Sequence, residues 1–168
     1  MILLVRHAMP AYEETVSPAD WPLSAEGLHA ALALDLPANA LLVASDEVKA
    51  WQTLSHAGPV LRDPRFGEIA RPGEPWDGPY RTMRRSYVDG TVPPRWESHV
   101  DVAERFDEGV TEFLVRAGDR PLVIGTHGMA LTVWLRSRGL LDDPGTFWEA
   151  LRFPHKIAVD LPSGTLTW

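Results

Sequence analysis

Short apolar segments alternate with longer segments of helical periodicity along this chain. The apolar segments are rich in branched side chains and span a few residues each, which is typical of strands buried on both faces of a sheet. They cover residues 2–5, 41–44 and 121–125, with a shorter candidate at 60–61. Two further segments, 157–161 and 165–168, flank Pro162-Ser163-Gly164 and predict a terminal hairpin.

Helices are predicted between these strands from apolar spacing and from capping residues. Ser24 is a candidate N-cap for one helix, and Ser45 or Asp46 for the next. Apolar residues at helical spacing predict two more helices in the second half of the chain. The four predicted helices cover residues 24 to about 35, 45 to about 56, 98–117 and 128–137.

Two stretches between these elements predict loops. Residues 8–22 carry three prolines and few periodic apolar positions. Residues 63–94 hold many glycines and prolines, several aromatic residues and several arginines, with one short helix predicted at 80–87. Loops as long as the second one usually serve a function in a compact domain.

Strands that alternate with helices favour an α/β fold, here a three-layer α/β/α sandwich around a mostly parallel sheet. The chain has 168 residues, 45% of them apolar. We therefore expect one domain over residues 1–168 with a single sizeable core. Ligands of such folds bind beyond the carboxyl ends of the strands.

Composition and charge exclude several classes of function. The net charge is −7 and the 16 lysines and arginines form no run, which argues against a nucleic-acid-binding face. Cysteine is absent, so disulfides, zinc-thiolate sites and a thiol nucleophile are ruled out. The N-terminal apolar run is too short for a signal sequence and no stretch suits a membrane span, so we expect a cytoplasmic protein without a membrane partner.

Polar residues of complementary chemistry follow three of the predicted strands. Arg6-His7 ends the first, Ser45-Asp46 with Lys49 one turn later ends the second, and Thr126-His127-Gly128 ends the strand at 121–125. A parallel sheet would bring these strand ends to one edge. A neutral imidazole can attack phosphorus, fixed cations bind the nonbridging oxygens, and a second, protonated histidine would add a donor. This set indicates phosphoryl transfer.

Five segments stand in order between residue 2 and about residue 135: LVRHAMP, PLSAEGLHAA, SDEVKAWQT, RFGEIARPGEPWDG and VIGTHGMAL. Together they resemble the signature segments of the histidine phosphatase superfamily, also called the phosphoglycerate-mutase-like family. The resemblance implies the phosphoglycerate-mutase-like α/β/α fold. It also implies a metal-independent phosphatase, which hydrolyses a small phosphorylated substrate through a phosphohistidine intermediate. It assigns His7 as nucleophile, Arg6 and Lys49 as phosphate ligands, His127 as the second pocket histidine and Glu68 as proton donor.

The sequence departs from that family pattern at three places. Ala8 stands where a glycine usually follows the nucleophilic histidine, Lys49 stands where an arginine is usual, and the asparagine often found between Met9 and Leu23 is missing. Lysine keeps the charge but loses the two-pronged fork of arginine. These departures motivate one alternative function, a phosphate-ligand binding protein with weak or no activity.

Two further alternatives keep the same first chemical step. One is phosphoglycerate-mutase-type transfer, although dedicated mutases of this family are longer than this chain. The other is removal of phosphate from phosphohistidine on a partner protein, which small members without the acid suggest. Glu68 counts against the latter.

Several residues keep alternative roles that depend on their place in the fold. Lys49 is also typical of an exposed helix surface, and Arg6 can pair with one of the many carboxylates, such as Asp46, instead of phosphate. Glu68 is favoured as the acid over other carboxyls in the predicted loops. These are Glu13, Glu14, Glu74 and Asp77.

The aromatic residues and the remaining histidines have their own alternatives. Trp76, Tyr80 and Tyr87 either line a substrate cleft or pack against the core, whereas Trp51 and Trp134 are expected in the core. The other four histidines show no metal-ligand spacing and are interpreted as surface or structural residues. They are His29, His56, His99 and His155. Neither a metal nor a cofactor is expected.

Overall fold

The computed structural model describes residues 1–168 and contains one six-stranded sheet. Strands β1 to β4 run mutually parallel, β5 is antiparallel to β1, and β6 is antiparallel to β5. The order across the sheet is β3-β2-β4-β1-β5-β6, so the predicted mostly parallel sheet is confirmed. The strands are β1 (Ile2–Arg6), β2 (Leu41–Ala44), β3 (Val60–Arg62), β4 (Leu122–Thr126), β5 (His155–Asp160) and β6 (Thr165–Thr167).

Six α-helices cover the two faces of this sheet and complete the three-layer α/β/α sandwich. Helices α1 and α2 pack together on one side, and α3 to α6 pack together on the other. None of them is both long and apolar enough to cross a membrane. The helices are α1 (Ala25–Leu32), α2 (Val48–Leu54), α3 (Tyr80–Asp89), α4 (His99–Ala117), α5 (Gly128–Ser137) and α6 (Pro144–Ala150).

The first strand shows why uninterrupted apolar sequence suits this architecture. Successive strand side chains point to opposite faces of a sheet. Leu3 and Val5 therefore join the smaller core cluster with Leu54 of α2. Ile2 and Leu4 join the larger cluster beneath α4 and α5. A strand covered by helices on both faces needs apolar side chains at every position.

The predicted end of α1 and the predicted start of α2 differ from the observed ones. Helix α1 ends at Leu32 rather than near residue 35, although Ser24 does cap it by accepting a hydrogen bond from the Gly27 N–H at 3.0 Å. Helix α2 begins after Glu47, so the prediction of Ser45 or Asp46 as its N-cap is wrong. The Ser45 hydroxyl accepts instead from the Glu47 N–H at 3.2 Å and shapes the turn before the helix.

One helix was not predicted at all. Helix α6 has only seven residues, too few to show clear periodicity. Its start nevertheless carries a local signal, because Asp143 accepts a hydrogen bond from the Thr146 N–H at 2.8 Å and Pro144 occupies the first helical position. The predicted terminal hairpin is confirmed and its first strand, β5, already begins at His155.

Phe66→Ala should destabilise the fold strongly. Phe66 is fully buried, and its ring centroid lies 5.1 Å from that of Phe106 and 5.9 Å from that of Phe113 on α4. We expect a loss of about 3–5 kcal/mol in the free energy of unfolding, measured by urea denaturation. Val115→Ala, on the exposed side of the same helix, is the control and should cost less than about 0.5 kcal/mol. Equal effects of the two substitutions would contradict this packing.

Candidate active site

Two histidines leave the sheet side by side at the carboxyl ends of β1 and β4. The strands pair in parallel with Arg6 opposite Thr126, and the His7 N–H donates to the Thr126 carbonyl at 3.0 Å. The ring centroids of His7 and His127 are consequently 5.0 Å apart, with the ring planes inclined by 60°. Both side chains are buried. The predicted convergence of these residues at one edge of the sheet is therefore present.

The first histidine has the tautomer of a nucleophile. His7 Nδ1 lies 2.8 Å from the Ala8 carbonyl oxygen, which can only accept a hydrogen bond. Nδ1 therefore carries the proton, and Nε2 keeps its lone pair. Burial, and next to it the neighbouring His127, hold the pKa of His7 well below its ordinary value. The ring is neutral at neutral pH, as attack on phosphorus requires.

The predicted phosphate-binding arginine lies beside the two histidines. Arg6 Nη1 donates to the Leu151 carbonyl at 2.7 Å, and Arg6 Cζ lies 3.6 Å from the centroid of the Phe153 ring. Arg6 Nε is buried without a protein partner. Burial lowers the pKa of Arg6 to about 10, so it remains a cation at neutral pH. The alternative of pairing with a carboxylate is wrong, since Arg6 forms no ion pair and Asp46 is exposed.

The second histidine is held in the pocket without a good hydrogen bond. Both ring nitrogens of His127 are buried and unpaired, although Glu47 Oε1 lies 3.3 Å from Nε2. Burial lowers the pKa of His127 to about 3. The ring is therefore neutral in the absence of an anion, which corrects the expectation of a protonated second histidine. The adjacent Gly128 permits this packing, because a Cβ there would lie 3.2 Å from Arg6 Nε.

The predicted second cation is buried rather than exposed. The Lys49 side chain is only 7% exposed, so the alternative of a helix-surface lysine is wrong. Its Nζ donates to the Pro18 carbonyl at 2.6 Å and forms an ion pair with Glu47. An ammonium group has three N–H donors. One of them therefore remains for a ligand.

The predicted proton donor, Glu68, contacts the N-terminus of α5 through its side chain. Glu68 Oε1 accepts from the Ala130 N–H at 3.0 Å and from the Ile69 N–H at 3.1 Å, and Oε2 accepts from the Met129 N–H at 3.4 Å. The first N–H groups of a helix have no partner within the helix. This carboxylate satisfies two of them and is held in place beside His127.

Hydrogen bonds from outside the pocket hold the loop that follows His7. The Ala8 N–H donates to Thr53 Oγ1 at 2.9 Å, and the Leu23 N–H donates to Gln52 Oε1 at 2.8 Å. The Thr53 hydroxyl itself donates to the Lys49 carbonyl at 2.7 Å. Gln52 and Thr53 thus connect α2 to both ends of the loop. Their positioning role was missed, although the AWQT segment was part of the observed resemblance.

The alanine after the nucleophile does not intrude on the pocket. Ala8 is fully buried in a small cluster with Leu23 and Ala31, and it does not line the cavity. Its methyl group therefore packs against α1. This departure from the usual glycine gives no steric reason for lost activity.

All five predicted site residues line one cavity of about 570 Å³. Of the competing carboxyls only Glu74 reaches it, and Glu74 is paired with Arg71 and Arg84 at 3.0 and 2.7 Å. No group of three or more His, Asp or Glu side chains is placed to hold a metal ion. The convergent residues are Arg6, His7, Lys49, Glu68 and His127.

Aromatic side chains form the outer wall of the cavity. Trp21 lies between Tyr12 and Trp76, with ring centroids 5.0 and 5.7 Å away. Tyr80 also lines the cavity, whereas Tyr87 is buried in the larger core cluster. The cleft alternative therefore holds for Trp76 and Tyr80, and the core alternative for Tyr87. Of the two tryptophans expected in the core, Trp134 is fully buried in the larger cluster and Trp51 packs half-buried against the smaller one.

The sequence itself matches a known family over most of its length. The description of that family is histidine phosphatase superfamily (branch 1), and the match covers residues 2–156. The chain belongs to the histidine phosphatase superfamily. The family and the fold predicted from the five segments are thereby confirmed, while no curated protein matches the chain.

Solved structures share the histidine phosphatase fold with this chain. A mycobacterial glucosyl-3-phosphoglycerate phosphatase complexed with VO3 has 22% identity and a TM-score of 0.66, covering 99% of this chain and 95% of its own. A protein from Thermus thermophilus, TTHB049, has 26% identity and a TM-score of 0.62, covering 96% and 94%. A phosphoserine phosphatase mutant from Entamoeba histolytica with phosphoserine has 14% identity and a TM-score of 0.68, covering 99% and 93%.

His127→Asn should weaken the dependence of stability on pH. The pKa of His127 is lowered to about 3 in the folded state, so below its ordinary value of 6.5 the unfolded chain binds more protons. Stability is therefore full above that value and falls with pH by up to about 1.4 kcal/mol per unit for this group. Urea denaturation between about pH 7 and 5 measures the slope. His29→Asn on the exposed face of α1 is the control. An unchanged slope in His127→Asn would contradict the buried neutral state.

Proposed function

We propose that the protein is a metal-independent phosphatase, which hydrolyses phosphomonoesters through a phosphohistidine on His7. One observation carries the proposal: three buried nitrogens without protein partners, Arg6 Nε and both ring nitrogens of His127, border a neutral His7. A buried polar group without a partner costs about 1–3 kcal/mol. Phosphoryl oxygens would accept hydrogen bonds from Arg6 Nε and from the ring nitrogen of neutral His127 that carries its proton. The phosphatase names of two structural neighbours, one of them holding the oxyanion VO3, support this assignment.

In the first step His7 Nε2 attacks phosphorus, and the bond from phosphorus to the leaving oxygen breaks. Glu68 transfers a proton to that oxygen, so the product leaves as an alcohol. The Ala8 carbonyl, 2.8 Å from Nδ1, stabilises the positive charge that develops on the ring. Arg6 and the remaining donor of Lys49 bind the nonbridging oxygens.

In the second step water attacks the phosphohistidine, and the bond from phosphorus to Nε2 breaks. The Glu68 carboxylate now accepts a proton from the water. Inorganic phosphate leaves, and His7 returns to its neutral form. The hydrogen bonds from the start of α5 keep the Glu68 carboxylate beside the pocket in both steps.

The walls of the cavity favour a small phosphorylated organic molecule as substrate. Trp76 is 50% exposed and Tyr80 39% exposed, and both line the cavity, so both can contact the leaving group. Arg71 and Arg84 share one carboxylate, that of Glu74, and leave one positive charge in excess on this wall. The leaving group therefore contacts both apolar and cationic side chains.

A phosphate-binding protein with weak activity is the second candidate. It is favoured by the internal contacts of Lys49, whose ammonium group already binds the Pro18 carbonyl and the Glu47 carboxylate. Measurement of turnover separates this candidate from the first.

His7→Ala should abolish turnover of p-nitrophenyl phosphate, because the nucleophile is lost. The wild-type protein should also form an acid-labile, alkali-stable phosphoprotein in rapid-quench experiments with a labelled substrate. His99→Ala, outside the cavity on α4, is the control for loss of a histidine as such. Equal turnover by wild type and His7→Ala would refute the mechanism, and tight phosphate binding without turnover would support the second candidate.

Glu68→Gln should slow the first step most for substrates with poor leaving groups. The introduced amide can still accept hydrogen bonds from the start of α5 but cannot donate a carboxyl proton. We expect a loss of about 10²–10⁴-fold in kcat/KM for an alkyl phosphate, and a smaller loss for p-nitrophenyl phosphate, whose leaving group needs little protonation. Glu74→Gln is the matched control in the same cavity. The reverse order of effects would assign the proton donor to Glu74.

A further inference from the structure

A third carboxylate, that of Glu47, lies in the cavity beside those of Glu68 and Glu74. Glu47 directly precedes α2 and lines the cavity, with its side chain 15% exposed. Its Oε2 forms the ion pair with Lys49 Nζ. Its Oε1 accepts from the Glu68 N–H at 2.9 Å and lies 3.3 Å from His127 Nε2.

These contacts are the kind that bind an oxyanion. An ammonium group and a backbone N–H donate to the two oxygens of one carboxylate, and an unpaired imidazole nitrogen lies close by. Phosphoryl oxygens use donors of the same types. We propose that Glu47 is a specificity-determining residue, a resident anion that competes with the substrate phosphoryl group for Lys49 and thereby lowers the affinity of the site for phosphate.

Structural support for the pocket comes from other residues. The segment before Glu68 is held by Thr126 Oγ1, which donates to the Phe66 carbonyl at 2.7 Å, and by Arg105 Nη1, which donates to the Gly67 carbonyl at 3.0 Å. Lys49 has a second partner in the Pro18 carbonyl. Glu47 is therefore not the sole support of either neighbour.

The charge of Glu47 acts mainly on an incoming anion. A phosphate dianion in the pocket would lie near two carboxylates, those of Glu47 and Glu68, and close charges interact strongly away from bulk water. Glu47 also neutralises Lys49 before any ligand arrives. The consequence is weak retention of the dianionic product, inorganic phosphate, and hence its ready release.

The experiment compares inorganic phosphate binding by the wild-type protein and by Glu47→Gln, using isothermal titration calorimetry. Glutamine keeps the shape of the side chain and removes its charge. We expect the dissociation constant to fall by about tenfold, as the loss of one nearby like charge predicts. Asp46→Asn removes the same charge one residue earlier, outside the cavity, and should leave the constant unchanged. Equal or weaker binding by Glu47→Gln would overturn the inference.

A double-mutant cycle with Lys49→Met tests the competition itself. If Glu47 acts by neutralising Lys49, the gain in phosphate affinity from Glu47→Gln should be at least severalfold smaller in the Lys49→Met background. A gain of the same size in both backgrounds would overturn competition for this lysine. Glu47→Ala provides the same comparison if the glutamine variant does not fold.

The inference rests on the proposed function, because it takes the pocket to bind a phosphoryl group, but the two fail separately. Calorimetry with inorganic phosphate needs no turnover. Tighter binding by Glu47→Gln in a protein that forms no phosphohistidine would overturn the mechanism alone. Unchanged binding in an active phosphatase would overturn the role of Glu47 alone.

Discussion

The parallel pairing of β1 with β4 is the constraint on which the rest of the site depends. It places Arg6 opposite Thr126, and so places the next residue of each strand, His7 and His127, at the same edge of the sheet. A shift of one residue in this pairing would turn one set of side chains to the other face. The apolar side chains of Ile2 to Val5 oppose that shift, because each is buried in one of the two core clusters on opposite faces of the sheet.

The loops that complete the site are held from behind by side chains of the helices. Thr53 and Gln52 of α2 hold the loop after His7, and Arg105 of α4 holds the turn before Glu68. This support lets the pocket keep buried nitrogens without partners, at a cost in stability that the surrounding packing offsets. In the proposed anion site, this cost in stability leaves donors already in place for a ligand.

Much of this arrangement was predictable, because the ends of buried strands are marked in the sequence by the change from apolar to polar residues. Arg6-His7 and Thr126-His127 follow uninterrupted apolar runs, and the topology of a parallel sheet then brings them together. The position of Glu47 was not predictable, because it depends on the exact residue at which α2 begins. The helix begins after Glu47 and not after Ser45 or Asp46, and the Glu47 carboxylate therefore points into the pocket. The burial of Lys49 was equally hidden, since its partner Pro18 lies on a loop whose path has no sequence periodicity.

The charges around the cavity explain how an acidic protein can hold the proposed phosphate site. Four cations and three carboxylates line the cavity, and three of the cations already contact a carboxylate. Arg6 is the only one of the four cations that contacts no carboxylate. Its partners are the Leu151 carbonyl and the face of the Phe153 ring. A buried cation without an ionic partner is costly, and an anionic ligand relieves that cost at short range. In the proposed function, phosphate binding therefore depends on Arg6 and on directed N–H groups rather than on the net charge of −7.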